Sequence, residues 1–325
     1  PVLFRGNAIR PRLSVGIALP EDVAPATPVS YEAMARAADF ALYAAKEDPA
    51  GDPVRLFDAA LAARLEERRS RLTALEKAVE TGGLEVWLQP KVRLPDGPVL
   101  GFEALARWRL GDQLIPPDEF ISLAEESGLI LAIDHFMLRE ATAALAAANR
   151  RAGTRLSVSV NLSALHMSGG RIVTQVAEAL AASGLPPDLL TLELTESVQV
   201  RDWGRVLATL EQLKALGCRL SLDDFGTGYS SLAYLRKMPA DELKLDKSFV
   251  TELEQSEQAR WIVDAVVDIA RSLQMSVVVE GIESAGQAAL AHSLGCEIAQ
   301  GYHFGRPVPA ATALAAAGPA RLRSA

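Results

Sequence analysis

Eight short apolar runs recur along the greater part of the chain, and each closes on a polar residue. They span 84–89, 99–103, 156–161, 190–193, 219–223, 242–244, 276–280 and 297–300. Their closing residues are Gln89, Glu103, Asn161, Glu193, Asp223, Lys244, Glu280 and Gln300. Stretches with helical periodicity separate most of the runs. Alternating strands and helices favour a parallel sheet. Eight such strands, with functional groups at their C-terminal ends, predict an α/β fold: a closed (β/α)8 barrel of the TIM type with its active site on that rim.

The first 58 residues follow a different rhythm. Leu13, Val15, Ile17 and Leu19 alternate with small or polar residues and predict a strand over 12–19. Ser30 reads as a helix N-cap, and Met34, Ala38, Leu42 and Ala45 keep helical spacing as far as Pro49. Residues 54–57 predict a last short strand, so this segment reads as the end of a domain. Over 59–82, Leu61, Leu65, Leu72, Leu75 and Val79 share one face up to Gly82-Gly83, which predicts a connecting helix. Its stripe would pack on the barrel or form a dimer seam. The barrel pattern holds over 83–312 and leaves an Ala-rich tail, 313–325, expected to be a frayed helix or disordered.

Composition narrows the partners. The 325 residues hold one barrel of roughly 250 residues and a surplus. Hydrophobic content of 49% and charged content of 23% belong to a globular protein rather than a disordered one. No apolar run approaches the ~18 residues of a membrane span. The start lacks the apolar h-region of a signal peptide, so the chain is expected in the cytoplasm. A Pro at position 1 sets the expectation of a longer protein, with an upstream region able to carry a sensor or membrane anchor. A net charge of −8 argues against duplex nucleic acid as a partner. An acidic rim still accepts a phosphate ester where metal cations supply the positive charge. Cys218 and Cys296 match no metal spacing and read as buried reduced thiols. His135, His166, His292 and His303 show no ligand spacing and read as structural.

The candidate chemistry is carboxylate chemistry. Glu103 interrupts an apolar strand, with Arg107 four residues on: a structural ion pair, or a metal ligand with a phosphate-binding Arg. Asn161 is a ligand or a turn former. Glu193 and Glu196 are site carboxylates or the acidic entry to a helix. Asp223-Asp224 repel each other unless cations neutralise them. The following Phe225-Gly226-Thr227-Gly228 has the backbone freedom of a mobile flap. Lys244 in an apolar strand must be paired or functional, and Glu280 after three valines is costly without a cation. Hard oxygen ligands without His or Cys suit Mg²⁺ or Mn²⁺. Two such ions ~4 Å apart are a device for in-line phosphodiester hydrolysis.

These motifs, in this order, resemble the EAL-domain family of bacterial cyclic di-GMP phosphodiesterases. The resemblance covers 84–309 and rests on Glu103-Ala104-Leu105-Ala106-Arg107, Asn161-Leu162-Ser163, Glu193-Leu194-Thr195-Glu196, the segment 223–231, Lys244-Leu245-Asp246, Glu280-Gly281-Ile282-Glu283 and Gln300-Gly301-Tyr302. It implies a modified barrel whose first strand runs antiparallel, and two Mg²⁺ or Mn²⁺ ions held by Glu103, Asn161, Glu193, Asp223, Asp224 and Glu280. It implies Lys244, with Glu103 and Glu280, as catalytic, and Lys244 as the residue that positions or activates the attacking water. Gln89, Arg107, Asp246, Gln300 and Tyr302 would contact the cyclic di-GMP substrate. Glu196 would anchor the flap, with Glu283 in a regulatory role. The implied product is linear pGpG, and the implied assembly is a homodimer through the barrel. Three positions depart from the family pattern: Lys91 stands where an apolar residue is more usual, Ala106 replaces a common Leu, and His166 a frequent Gln. Residues 1–58 resemble the C-terminal part of a GGDEF (diguanylate cyclase-like) domain, a small α+β remnant without the loop that names it. A module that only binds the dinucleotide is expected to lack one or more metal ligands; this sequence lacks none.

Overall fold

The computed structural model describes residues 2–4, 7–9, 13–23, 29–47, 52–195, 203–226 and 235–316. The chain forms two compact units, Pro1–Leu75 and Glu76–Ala325. The helix Ala59–Thr81 crosses that boundary and stops at Gly82, φ +88°, as a left-handed C-terminal glycine stops a helix.

In the first unit Val15–Ile17 pairs in parallel with Val54–Leu56. Both strands are shorter than the sequence predicted. Ser30 caps the helix Tyr31–Glu47, its Oγ accepting from the Ala33 amide at 3.2 Å. The helix passes directly over Gly16, where a Cβ would lie 2.1 Å from the Ala38 carbonyl oxygen. Ala37, Ala41, Phe57 and Leu61 fill the core beneath it.

In the second unit eight strands close a barrel: β1 (Leu84–Arg93), β2 (Val99–Leu110), β3 (Ser157–Asn161), β4 (Leu190–Thr195), β5 (Arg219–Phe225), β6 (Glu242–Leu245), β7 (Ser276–Val279) and β8 (Ile298–Gln300). From β2 to β8 each strand is parallel to the next. β1 closes the ring by pairing antiparallel with both β2 and β8. This corrects the all-parallel sheet that patterning alone predicts. The reason is local: the five residues 94–98 between β1 and β2 can only turn back, since a parallel crossover takes about a dozen.

Strands buried on both faces are continuously apolar. Leu192, Leu194, Leu220, Leu222, Leu243, Leu245 and Val277–Val279 are all buried, each Leu contributing on the order of 1.5–3 kcal/mol. Outside them, the helix Glu257–Ser272 turns Val263, Val266, Val267 and Ala270 inward. The helix Ala310–Ala316 packs on β1 and on the helix Ile130–Ala152, burying Ala313 and Leu314. The chain is helical as far as Ala316, where Leu314 still has apolar surface to bury.

Candidate active site

The register of the strands sets the mouth of the barrel. Gln89 lies opposite Glu103, Asn161 beside Glu193, and Glu193 beside Ser221. Side chains alternate between faces along a strand, so residues two apart on one strand share the interior. At the end of β5 the register slips: Leu222 pairs with Leu243 and Phe225 with Leu245, which leaves Asp223 and Asp224 together against Lys244. Asp224 takes a left-handed backbone, φ +55°, a conformation Asp tolerates better than most side chains. This bulge re-aims a side chain and brings two consecutive carboxylates to one place. Oxygens of Asp223, Asp224 and Glu280 lie within 4.8 Å of one another, as do those of Glu103, Glu193 and Asp223. Asp223 belongs to both clusters.

Lys244 stands at the centre, fully buried. Its Nζ meets Glu193 Oε2 at 2.7 Å, Glu280 Oε1 at 2.8 Å, Asp223 Oδ2 at 2.9 Å and Glu103 Oε1 at 3.6 Å. Burial alone would lower its pKa, but the four carboxylates hold it well above the ordinary lysine value. In the metal-free site it is an ammonium that donates to the carboxylates around it. Glu103 is fixed further by Asn161, whose Nδ2 donates to its Oε1 at 2.8 Å, and by the Gln300 amide. Gln300 Nε2 also donates to Gln89 Oε1 at 3.0 Å.

Negative charge exceeds positive in this interior. Two ammoniums, Lys91 and Lys244, face five carboxylates: Glu103, Glu193, Asp223, Glu242 and Glu280. Burial, with Glu193 and Glu103 nearby, pushes Asp223 up to about 7 against the pull of Lys244. Burial, with Glu103 and Asp223, pushes Glu280 up to about 8. Glu193 behaves oppositely. Burial raises it, yet Lys244 and Lys91 together hold it below its ordinary value. The buried acceptor Gln300 Oε1 has no hydrogen-bond donor, and Glu193 Oε1 has the Lys91 ammonium no nearer than 3.6 Å. Surplus carboxylates and unpartnered acceptors are what divalent cations satisfy, so these residues fit the metal that the sequence called for.

The remaining predicted residues have varied surroundings. Arg107 is half-buried, its guanidinium 5.5 Å from the centre of the Trp87 ring, with the carboxylates of Asp118 and Glu103 among the charges it feels. Tyr302 is exposed beneath the Arg306 guanidinium, 4.1 Å from its ring centre. Asp246 caps the short helix Lys247–Thr251 through the Ser248 amide. Glu283 is exposed, and its amide donates to Gln287 Oε1 at 2.7 Å. Phe225 packs in the core around β5–β7, and Gly226, φ +95°, follows it against Phe249. Glu196, Thr227 and Gly228 lie outside the described residues. Gly301 is required where it stands: a Cβ there would meet the Ile282 backbone at 2.1 Å. That close crossing ties the segment after Glu280 to the one after Gln300, with Ile282 N donating to Gln300 O at 3.1 Å and His303 N to Ile282 O at 3.0 Å. Lys91 and Glu242 were missed as site residues. Both are charged residues at inward-facing positions of apolar strands, and Glu242 is two residues before Lys244, which was signal enough.

Fold and site together define a (β/α)8 barrel with a reversed first strand and a mouth built to hold divalent cations. The chain belongs to the EAL domain family, which matches residues 72–307. An uncharacterised signalling protein of Caulobacter vibrioides is 41% identical over 311 residues, 95% of this chain and 37% of that protein. The bifunctional diguanylate cyclase/cyclic di-GMP phosphodiesterase MucR of Pseudomonas aeruginosa is 39% identical over 317 residues, 97% of this chain and 45% of that protein. The solved structure of the PaMucR phosphodiesterase in complex with c-di-GMP has a TM-score of 0.71 at 42% identity, covering 74% of this chain and 98% of that one. The chain thus spans less than half the length of these curated relatives. Among the described residues, no helix is long and apolar enough to cross a membrane.

Proposed function

We propose that this chain is a phosphodiesterase of bacterial second-messenger signalling that hydrolyses cyclic di-GMP to linear pGpG. The observation that carries the chemistry is the pair of carboxylate clusters sharing Asp223; the substrate is supported by the names of MucR and of its complex. Glu103, Asn161, Glu193, Asp223, Asp224 and Glu280 would hold two divalent cations, Mg²⁺ or Mn²⁺. When bound, these supply charge for the phosphodiester oxygens and lower the pKa of an attacking water. Lys244 orients Glu193, Asp223 and Glu280 and would position or activate the attacking water. Gln300 and Asn161 fix Glu103. Arg107, on the strand that bears Glu103, offers a guanidinium to a phosphate, and Tyr302 offers a ring face to a guanine base. Gln89 and Asp246 complete the substrate contacts, while Glu196, Glu283 and residues 225–228 regulate the mouth as a flap. Water adds to phosphorus, one P–O3′ bond breaks, and the ring opens with a 5′-phosphate.

The same reading takes residues 1–58 as the end of a GGDEF-like domain, 59–82 as a connector and 83–312 as the barrel. The alignment with MucR through the first unit supports it. It also includes cytoplasmic action, an upstream input and a homodimer through the barrel. The exposed Trp261 and Ile262 on the helix Glu257–Ser272 are apolar surface such a contact would cover.

The test is incubation with cyclic di-GMP and Mg²⁺ or Mn²⁺, with and without EDTA, with the product followed by chromatography. Metal-dependent pGpG, abolished by Glu103→Ala, is expected. Tight binding of the dinucleotide without turnover, unchanged by Glu103→Ala, would replace the enzyme with a receptor.

A further inference from the structure

Beneath the carboxylates of the mouth lies a second layer of buried charge. Lys91 of β1, 4% exposed, reaches into the barrel. Its Nζ donates to Ser159 Oγ, lies 3.2 Å from Glu242 Oε1 and 3.6 Å from Glu193 Oε1. Burial alone would lower its pKa, but Glu242 and Glu193 raise it. Glu193 is thus bracketed by two ammoniums, Lys244 on Oε2 and Lys91 on Oε1.

A barrel interior at this depth is ordinarily filled with branched apolar side chains. A buried ion pair placed there for stability alone gives little, because desolvation offsets the attraction. The Lys91–Glu242 pair does something an apolar pair cannot. It sets a cation 3.6 Å from the Glu193 oxygen that Lys244 does not hold, and Glu242 keeps that cation in place. Ser159 fixes the ammonium laterally. Without Lys91, the ion pair with Lys244 would hold Glu193 on one oxygen alone, and the carboxylate could turn about that contact.

We propose that Lys91, with Glu242 as its counter-ion, is a positioning residue that fixes the Glu193 carboxylate for cation binding. The proposal rests on reading Glu193 as a metal-holding carboxylate.

The test measures Mn²⁺ affinity by the loss of the free-ion electron spin resonance signal, and melting temperature in EDTA. The proteins are the full chain and the variants Lys91→Met/Glu242→Gln, Ser159→Ala and Glu193→Gln. The double variant removes both charges, so no lone ion is left buried. It is expected to melt within a few degrees of the parent yet bind Mn²⁺ roughly 10–100-fold more weakly, as loss of outer-shell support does. In turnover of cyclic di-GMP it should lower kcat at saturating Mn²⁺ and leave KM within about twofold, which identifies an effect on the cation site rather than on substrate binding. Should the double variant fail to fold, Ser159→Ala decides. It removes the hydroxyl that touches both the ammonium and Glu193 without unpairing a charge, and about threefold or greater weakening of Mn²⁺ binding is expected. Parent-like Mn²⁺ affinity in a folded double variant, or in Ser159→Ala when it decides, overturns the proposal and leaves a structural ion pair. If Glu193→Gln also keeps parent affinity, it is the metal reading of Glu193 that has failed.

Discussion

Asp223 and Asp224 are neighbours in sequence whose side chains, in a regular strand, would point apart. The slip of register between Leu222 and Phe225 and the left-handed Asp224 bring both carboxylates into one acidic cluster with Glu280. The sequence marked the two as unusual because adjacent carboxylates repel. It did not reveal the bulge, since nothing in the residue pattern of β5 announces an extra residue. Two substitutions separate backbone from ligand. Asp224→Asn keeps a residue that tolerates positive φ, so its urea midpoint should stay within the equivalent of about 0.5 kcal/mol. Its activity should fall by more than the roughly 10–100-fold that outer-shell partners cost. Asp224→Val places a β-branched residue at the same φ and should cost an additional ~1–3 kcal/mol. Equal urea midpoints for the two variants would remove strain from the account.

Among the elements, the parallel strands were legible because burial on both faces leaves uninterrupted apolar runs, each with a conspicuous polar end. The start of the helix Tyr31–Glu47 was legible because its cap, Ser30, is written in the sequence; a second cap came only with the structure. Ser284 caps the helix Ala285–Ser293 in a reciprocal pair with Gln287, the Gln287 amide donating to Ser284 Oγ at 3.0 Å. Because Glu283 and Ser284 also donate to Gln287 Oε1, this cap holds the segment that leaves Glu280. Ser284→Ala should lower unfolding free energy by ~1 kcal/mol, read as a shifted denaturant midpoint with an unchanged slope. An unshifted midpoint would show the cap to be redundant. The direction of β1 was less legible: inward and outward residues alternate whichever way a strand runs, so patterning is blind to its sense. Only the five-residue link before β2 carried that information, apart from the family likeness. Lys91 stood out only as a departure from the family pattern, and Glu242 not at all, for a related reason. Charged residues in short apolar runs were weighed at the ends of strands, whereas these lie deeper.

For the molecule as a whole, the surplus of buried carboxylates links stability, pH and cation. In the folded, metal-free protein Asp223 and Glu280 hold their protons to about 7 and about 8, above ordinary values of 3.8 and 4.5. A group that binds its proton more tightly when folded adds stability that is complete below the unfolded value and lost as pH rises through the folded one. In EDTA the melting temperature should therefore fall from about pH 6 to about pH 9, while the rise produced by Mn²⁺ should grow over the same window, because cation binding then no longer competes with protons. A melting temperature in EDTA that climbs with pH across that window would contradict this electrostatic picture.

The reversal of β1 has a consequence for how such a barrel is wired. In an all-parallel barrel the first strand starts at the floor, the face that serves stability, with the chemistry at the far end. Here Leu84 pairs with Trp108, five residues beyond Glu103 on β2, so the polypeptide comes in at the catalytic end. The first turn of the barrel and the rim that carries the carboxylates therefore belong to one antiparallel ribbon, and a change in the opening residues of β1 reaches that rim through a single strand pairing.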